Sequence, residues 1–243
     1  MPEAEDPGLY KIVLQVPMDA VPLFMTVAVL HQSQAGKPAG TCVTTCLTLI
    51  RALEHLGFSA EPLAACASVF SRDTHNTKIT DVGVWEHPPV VRPDGTTNGH
   101  MIVWSPSFRR MIDPTIAQAP VLLEAARTSL VQSYPSVLQV DHEALLSTTV
   151  TAPRGPYTVT WTVFPQWTPI LTGMLAPAHH EAIEHAAVRL AGLVVEQLPM
   201  IGQIRDQRAL HSLHPHLGAL LSGRALLPDP PALSPQAAAL FGL

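Results

Sequence analysis

Three short segments carry the residue types of nucleophilic acyl transfer, in a fixed order along the chain. Gly40-Thr41-Cys42 opens a stretch with helical spacing, Gly99-His100 opens a strand-like one, and Ile112-Asp113-Pro114-Thr115 follows soon after. In such chemistry a thiol attacks a carbonyl, an imidazole takes the thiol proton, and a carboxylate holds the imidazole in orientation. The outcome depends on the elements that carry the three side chains.

Cys42, Cys46, Leu49, Ile50, Leu53 and Leu56 recur at helical spacing over residues 41–56, and Gly57 sits where a helix C-cap belongs. A helix N-terminus supplies partial positive charge and amide donors. That placement favours a thiolate at Cys42 and makes the Cys42 amide one oxyanion donor. Cys46, one turn further in, shares the face but not the helix end, and reads as a core residue. A second oxyanion donor is expected upstream, with Gln34 and Gln32 as candidates. Residues 100–104 and 110–113 read as strands joined through the Ser105-Pro106-Ser107 turn. A hairpin of that kind lays His100 and Asp113 side by side, and Pro114 ends the second strand.

Elsewhere, residues 10–17 and 157–164 read as strands and 20–30 as a helix. Residues 58–70 are apolar and fit either type. Residues 79–91 look like strand segments broken by Pro88 and Pro89, with a hairpin turn at Asp94-Gly95. Helices are expected at 120–131, 177–198 and 207–221, and a proline-rich linker at 227–235 before a short apolar tail. Helices packed on an antiparallel sheet define an α+β class. The division expected is a catalytic domain over 1–165 and a helical C-terminal extension or cap over 166–243.

Composition narrows the classes. The chain has 243 residues, 47% hydrophobic and 14% charged, with a formal charge of -5. It can bury a sizeable core, and it lacks the basic stripe that nucleic-acid binding uses. Three cysteines within residues 42–66 make no disulfide framework and suggest a reducing compartment. An acidic N-terminus without a signal-peptide pattern, and no apolar stretch of spanning length, lead to an expectation of a cytoplasmic protein that avoids membranes.

His179, His180 and His185 flank Glu181 and Glu184, but at i+5 and i+6 rather than the i+4 of a helical zinc pair. A solvated helix start is the better reading. His211, His214 and His216 read as ordinary polar residues near a helix end. No metal site is expected, and there is no nucleotide-binding loop. Trp85, Trp104, Trp161 and Trp167 read as core or cleft-wall residues.

The segment GTCVTTCLTLIRALEHLGFSA resembles the nucleophile helix of the transglutaminase-like superfamily. There a Cys opens a helix that ends in a Leu-Gly-aliphatic-x-Ala pattern, here Leu56-Gly57-Phe58-Ser59-Ala60. The segment GHMIVWSPSFRRMIDPT resembles that family's His and Asp strands, the latter ending in Asp-Pro-Thr. The resemblance covers about residues 38–118. It implies a papain/transglutaminase-like fold, with the nucleophile helix packed on an antiparallel sheet. It makes Cys42 the nucleophile, His100 the base and Asp113 the orienting carboxylate, with no cofactor. Met101-Ile102 after the His and Val43 after the Cys depart from the family pattern and leave the subfamily open.

The function expected is a cysteine-dependent hydrolase of amide or isopeptide bonds, a protease or amidase acting on a peptide, protein or small amide. Two alternatives stay open. One is transfer to an amine, of transglutaminase or arylamine N-acetyltransferase type, because those enzymes use the same residue types. The other is a catalytically inactive binding module on the same fold. Oligomeric state is not legible.

Overall fold

Helix α1 spans Cys42–His55, as its apolar spacing predicts. The computed structural model describes residues 41–73, 76–90, 97–116, 119–122, 124, 136–198 and 212–241. The strand expected at 10–17, the helix at 20–30, Gln32, Gln34 and the Asp94-Gly95 turn lie outside these residues. At the far end of α1, Gly57 has φ +85. The Gly57 amide donates to the Glu54 carbonyl and the Phe58 amide to the Leu53 carbonyl, each at 2.9 Å. This is a Schellman closure, and its left-handed residue carries no β-carbon penalty only as glycine.

Among the described residues seven strands form one antiparallel sheet. They are β1 (Glu61–Ser71), β2 (Lys78–Val82), β3 (His100–Ser105), β4 (Arg110–Asp113), β5 (Ser136–Gln139), β6 (Val150–Arg154) and β7 (Tyr157–Val163). Their order is β5-β4-β3-β1-β7-β6, with β2 paired to β1. β1 is the spine. One edge pairs with β7 from Ala65 to Ser71. The other edge is shared: residues 61–65 pair with β3 and residues 67–70 with β2. β1 is buried on both faces over residues 63–69. A doubly covered strand loses its alternating pattern, so the sequence leaves 58–70 ambiguous.

The two faces of the sheet build two cores. Ala64, Met101, Val103 and Ile112 pack with Leu49 and Leu53 of α1. Leu63, Ala65, Ala67, Ile102, Met111, Val159 and Trp161 face the other way, under Ile116, Leu122 and Leu145. Leu145 lies on helix α2 (His142–Ser147). Of the helix expected at 120–131, residues 120–122 and 124 are described and are helical.

After β7 come α3 (Thr168–Thr172), α4 (Pro177–Gln197), α5 (Pro215–Leu221) and α6 (Pro235–Phe241). Among the described residues after β7, the regular elements are helical. Ala187, Leu190, Ala191 and Val194 form a stripe on α4 and, with Leu198 just beyond its end, pack into the same core as α1. Two expectations need correction. Of the strand segments expected over 79–91 and broken by Pro88 and Pro89, the described residues form one, β2, which ends at Val82 because Gly83 takes φ +96 and turns the chain off the sheet. The helix expected over 207–221 is broken at His214, where Pro215 starts α5. A residue preceding proline is disfavoured in helical conformation, and His214 is non-helical at φ -133, ψ 72. Among the described residues no helix is long and apolar enough to cross a membrane.

Candidate active site

The pairing of β1 changes hands at one point. Val82, the last residue of β2, lies opposite Ala67, and His100, the first of β3, lies opposite Ala65. Between them the chain leaves the sheet at Gly83 and returns at Gly99, beside Cys66. Both ends of this excursion are too tight for a side chain. A β-carbon on Gly83 would lie 2.7 Å from the Ala65 carbonyl oxygen, and one on Gly99 would lie 2.5 Å from Leu171 Cδ2 and 2.9 Å from Pro89 Cβ. Glycine lets the two chain segments close on β1 and deliver His100 at the split.

The N-terminus of α1 meets this split. Cys42 is the first helical residue, with Thr41 at the N-cap and no capping bond from the Thr41 side chain. The amides of that first turn have no acceptor within the helix. Cys42 Sγ donates to the Gly99 carbonyl oxygen at 3.7 Å, which sets the thiol next to His100, whose charge it influences. Cys42 is 6% exposed, His100 1% and Asp113 0%.

His100 and Asp113 meet by sheet register. Val103 pairs with Ile112, which sets Asp113 beside Ile102 and one step along the same face from His100. Such diagonal neighbours are within reach of long side chains. His100 Nε2 contacts Asp113 Oδ2 at 2.9 Å, leaving Nδ1 as the ring nitrogen available to Cys42. The Thr115 amide donates to Asp113 Oδ1 at 3.1 Å, so Asp113-Pro114-Thr115 is an Asx turn that pins the carboxylate to its own backbone. Trp161 Nε1 donates to Asp113 Oδ2 at 2.7 Å.

Burial opposes ionisation of both partners, and their mutual attraction overrides it. Desolvation lowers the His100 pKa, but the Asp113 charge, its hydrogen bond and the Cys42 side chain raise it to about 10. Desolvation raises the Asp113 pKa, but the charge and hydrogen bond of His100, with the Trp161 and Thr115 donors, hold it below the ordinary value. The pair is thus an imidazolium and a carboxylate near neutral pH, and the cation stands beside the Cys42 sulfur.

The two other thiols stand apart from this chemistry. Cys46 is fully buried and donates to the Met101 carbonyl oxygen at 3.2 Å. Burial, then the neighbouring Cys42 and Asp113, push its thiol well above the usual range. Burial and Asp81 push the Cys66 thiol up to about 12.

Cys42, His100 and Asp113 are therefore brought together, while the oxyanion candidates Gln32 and Gln34 lie outside the described residues. The histidine-rich helix start is not simply solvated. Glu184 Oε1 meets His55 Nε2 at 2.8 Å, Glu181 Oε2 accepts from the Ser234 amide at 3.2 Å, and His185 Nδ1 lies 2.8 Å from the Pro231 carbonyl oxygen. These residues tie α4 to α1 and to the chain before α6. Among the described residues no group of three His, Cys, Asp or Glu side chains is arranged to hold a metal ion. Sequence reasoning missed the role of Trp161. The available signal was an indole on the buried face of the alternating 157–163 strand, where its N–H needs an acceptor.

The chain has no match among protein-family models, curated proteins or solved structures.

Proposed function

We propose that the protein is a cysteine-dependent hydrolase of amide or isopeptide bonds, with a transglutaminase-like, papain-type arrangement of its catalytic helix and sheet. The observation that carries this reading is the Cys42 thiol on the Gly99 carbonyl, one residue before His100, whose Nε2 is held by Asp113. The order of the three residues and the helix N-terminus beneath the thiol support it.

In this mechanism a cation and a helix N-terminus together favour the anionic form of a thiol. The proton that Cys42 gives up is the one His100 already carries as imidazolium, and Sγ adds to the substrate carbonyl carbon. First-turn amides of α1 face the oxyanion that forms. The tetrahedral adduct collapses by breaking the C–N bond, and the departing amine takes the proton from His100. A thioester on Cys42 remains. His100 then takes a proton from water, the hydroxide adds to the thioester, the C–S bond breaks, and the sulfur leaves beside the restored His100 imidazolium. Asp113 holds the ring orientation throughout and is not itself protonated.

The reading is tested by iodoacetamide labelling near neutral pH, followed by peptide mass analysis and by release of amine from a panel of peptide anilides. Cys42 should alkylate far faster than a free cysteine, His100→Ala should remove that advantage, and anilide hydrolysis should depend on both residues. Alkylation of Cys42 at the free-thiol rate, unchanged by His100→Ala, overturns the proposal.

A further inference from the structure

Asp113 Oδ2 accepts from two side chains on two different strands, His100 Nε2 at 2.9 Å and Trp161 Nε1 at 2.7 Å. Only the first belongs to a three-residue relay. Trp161 lies on β7 opposite Ala67, with β1 and β3 between it and β4. Ala65 and Ala67 both face the core that contains the indole. Their single methyl groups leave room for the ring to reach over two strands. Core packing alone would be met by Phe or Leu at this position. A buried indole instead brings an N–H that requires an acceptor, and here the acceptor is the oxygen that holds His100.

We propose that Trp161 is a positioning residue for the Cys42–His100 pair: its N–H locks the Asp113 carboxylate and takes a share of the oxygen on which His100 depends. The inference rests on the triad reading above. With the Thr115 amide on Oδ1 and two donors on Oδ2, the carboxylate cannot turn about its Cβ–Cγ bond, so the imidazole plane is set as well. The indole donates whatever the charge on His100, and so draws off part of the negative charge that His100 otherwise faces alone. Other ionisable groups around the His100–Asp113 pair are Cys42 and Cys46 on α1 and Arg154 on β6. None of these is altered by exchanging the indole for a phenyl ring.

The test uses Trp161→Phe in the full chain, with His100 followed by NMR in histidine-labelled protein. Loss of the second donor should move the His100 titration midpoint up by about half a pH unit or more. In an Asp113→Asn background the same exchange should move it no further. In the wild type, the Trp161 Nε1–H resonance should shift with the His100 midpoint, a readout that survives even if the variant does not fold. A His100 midpoint unchanged in a folded Trp161→Phe protein, or an indole resonance blind to the titration, overturns the inference. Both readouts are independent of thiol reactivity. If Cys42 alkylates like a free thiol while the indole still follows His100, the catalytic reading fails and the coupling stands.

Discussion

Gly83 and His100 are in such close approach that a β-carbon on the glycine would lie 2.9 Å from His100 Cβ. The same β-carbon would lie 2.7 Å from the Ala65 carbonyl oxygen, and Gly83 has φ +96. One residue thus turns β2 out of the sheet and leaves the space that β3 enters. Gly83→Ala combines backbone strain with a backbone clash, at a cost of about 1–3 kcal/mol. The clash includes His100 Cβ, so Cys42 alkylation should slow by about tenfold or more even in the folded fraction, the range expected of an ångström-scale misplacement. Thermal unfolding and labelling of the same sample check both. A variant with native Cys42 reactivity would show that Gly83 does not set the position of His100.

The His100–Asp113 pair gives stability a defined pH dependence. The His100 pKa is raised from 6.5 to about 10, so its contribution is complete below about pH 6.5 and fades as pH rises through about 10. The Asp113 pKa is lowered from 3.8, so its contribution is present above about pH 3.8 and is lost as acid brings the pH down through the folded-state value. The stability gap between wild type and Asp113→Asn should therefore form a plateau from about pH 4 to 6.5 and narrow on both sides. On the plateau, breaking a buried pair costs about 3–5 kcal/mol. Denaturant titrations at spaced pH values measure the gap, and a gap that does not change from pH 6 to 10 would contradict the assignment.

Cys46 offers a control for Cys42. Its thiol donates to the Met101 carbonyl oxygen at 3.2 Å, and a serine hydroxyl can do the same. Cys46→Ser should cost about 1 kcal/mol of stability and leave the Cys42 alkylation rate within about twofold, as expected when a neighbour keeps its hydrogen bond. Cys42→Ser should remove fast alkylation altogether, because burial holds the Cys46 and Cys66 thiols protonated. Peptide mass analysis of labelled protein separates the three sites.

The parts of the site that were legible in the sequence are those set by local periodicity. Apolar spacing places α1 and its first residue, Gly57 marks the helix end, and the interval from His100 to Asp113 fits two strands with a tight turn. The parts that were not legible come from non-local pairing. Nothing in the sequence shows that β1 divides one edge between β2 and β3, so the residues around Gly83 look like continuing strand. Cys66 lies at that division, yet reads as one more apolar residue of the 58–70 run. Trp161 belongs to a strand that alternation identifies, but its bond to Asp113 spans two intervening strands, which no sequence spacing encodes.

The division of the chain at residue 165 also meets a long-range fact. The Ala64 amide donates to Thr168 Oγ1 at 2.9 Å, and Leu171 packs against Gly99 beside the site. Leu190, Ala191 and Val194 of α4 share one core with Leu49 and Leu53 of α1. Helix packing of this kind makes the C-terminal helices part of the support for α1. Leu190 is fully buried, so Leu190→Ala should cost about 2–5 kcal/mol through lost burial and the cavity left behind. The loss should appear as a shift of one unfolding transition reported alike by α4 and by the sheet, as in a single cooperative unit. Amide exchange resolved along the chain is the measurement. Faster exchange confined to residues beyond 165, with α1 and β3 unaffected, would instead mark the helices as a separable extension.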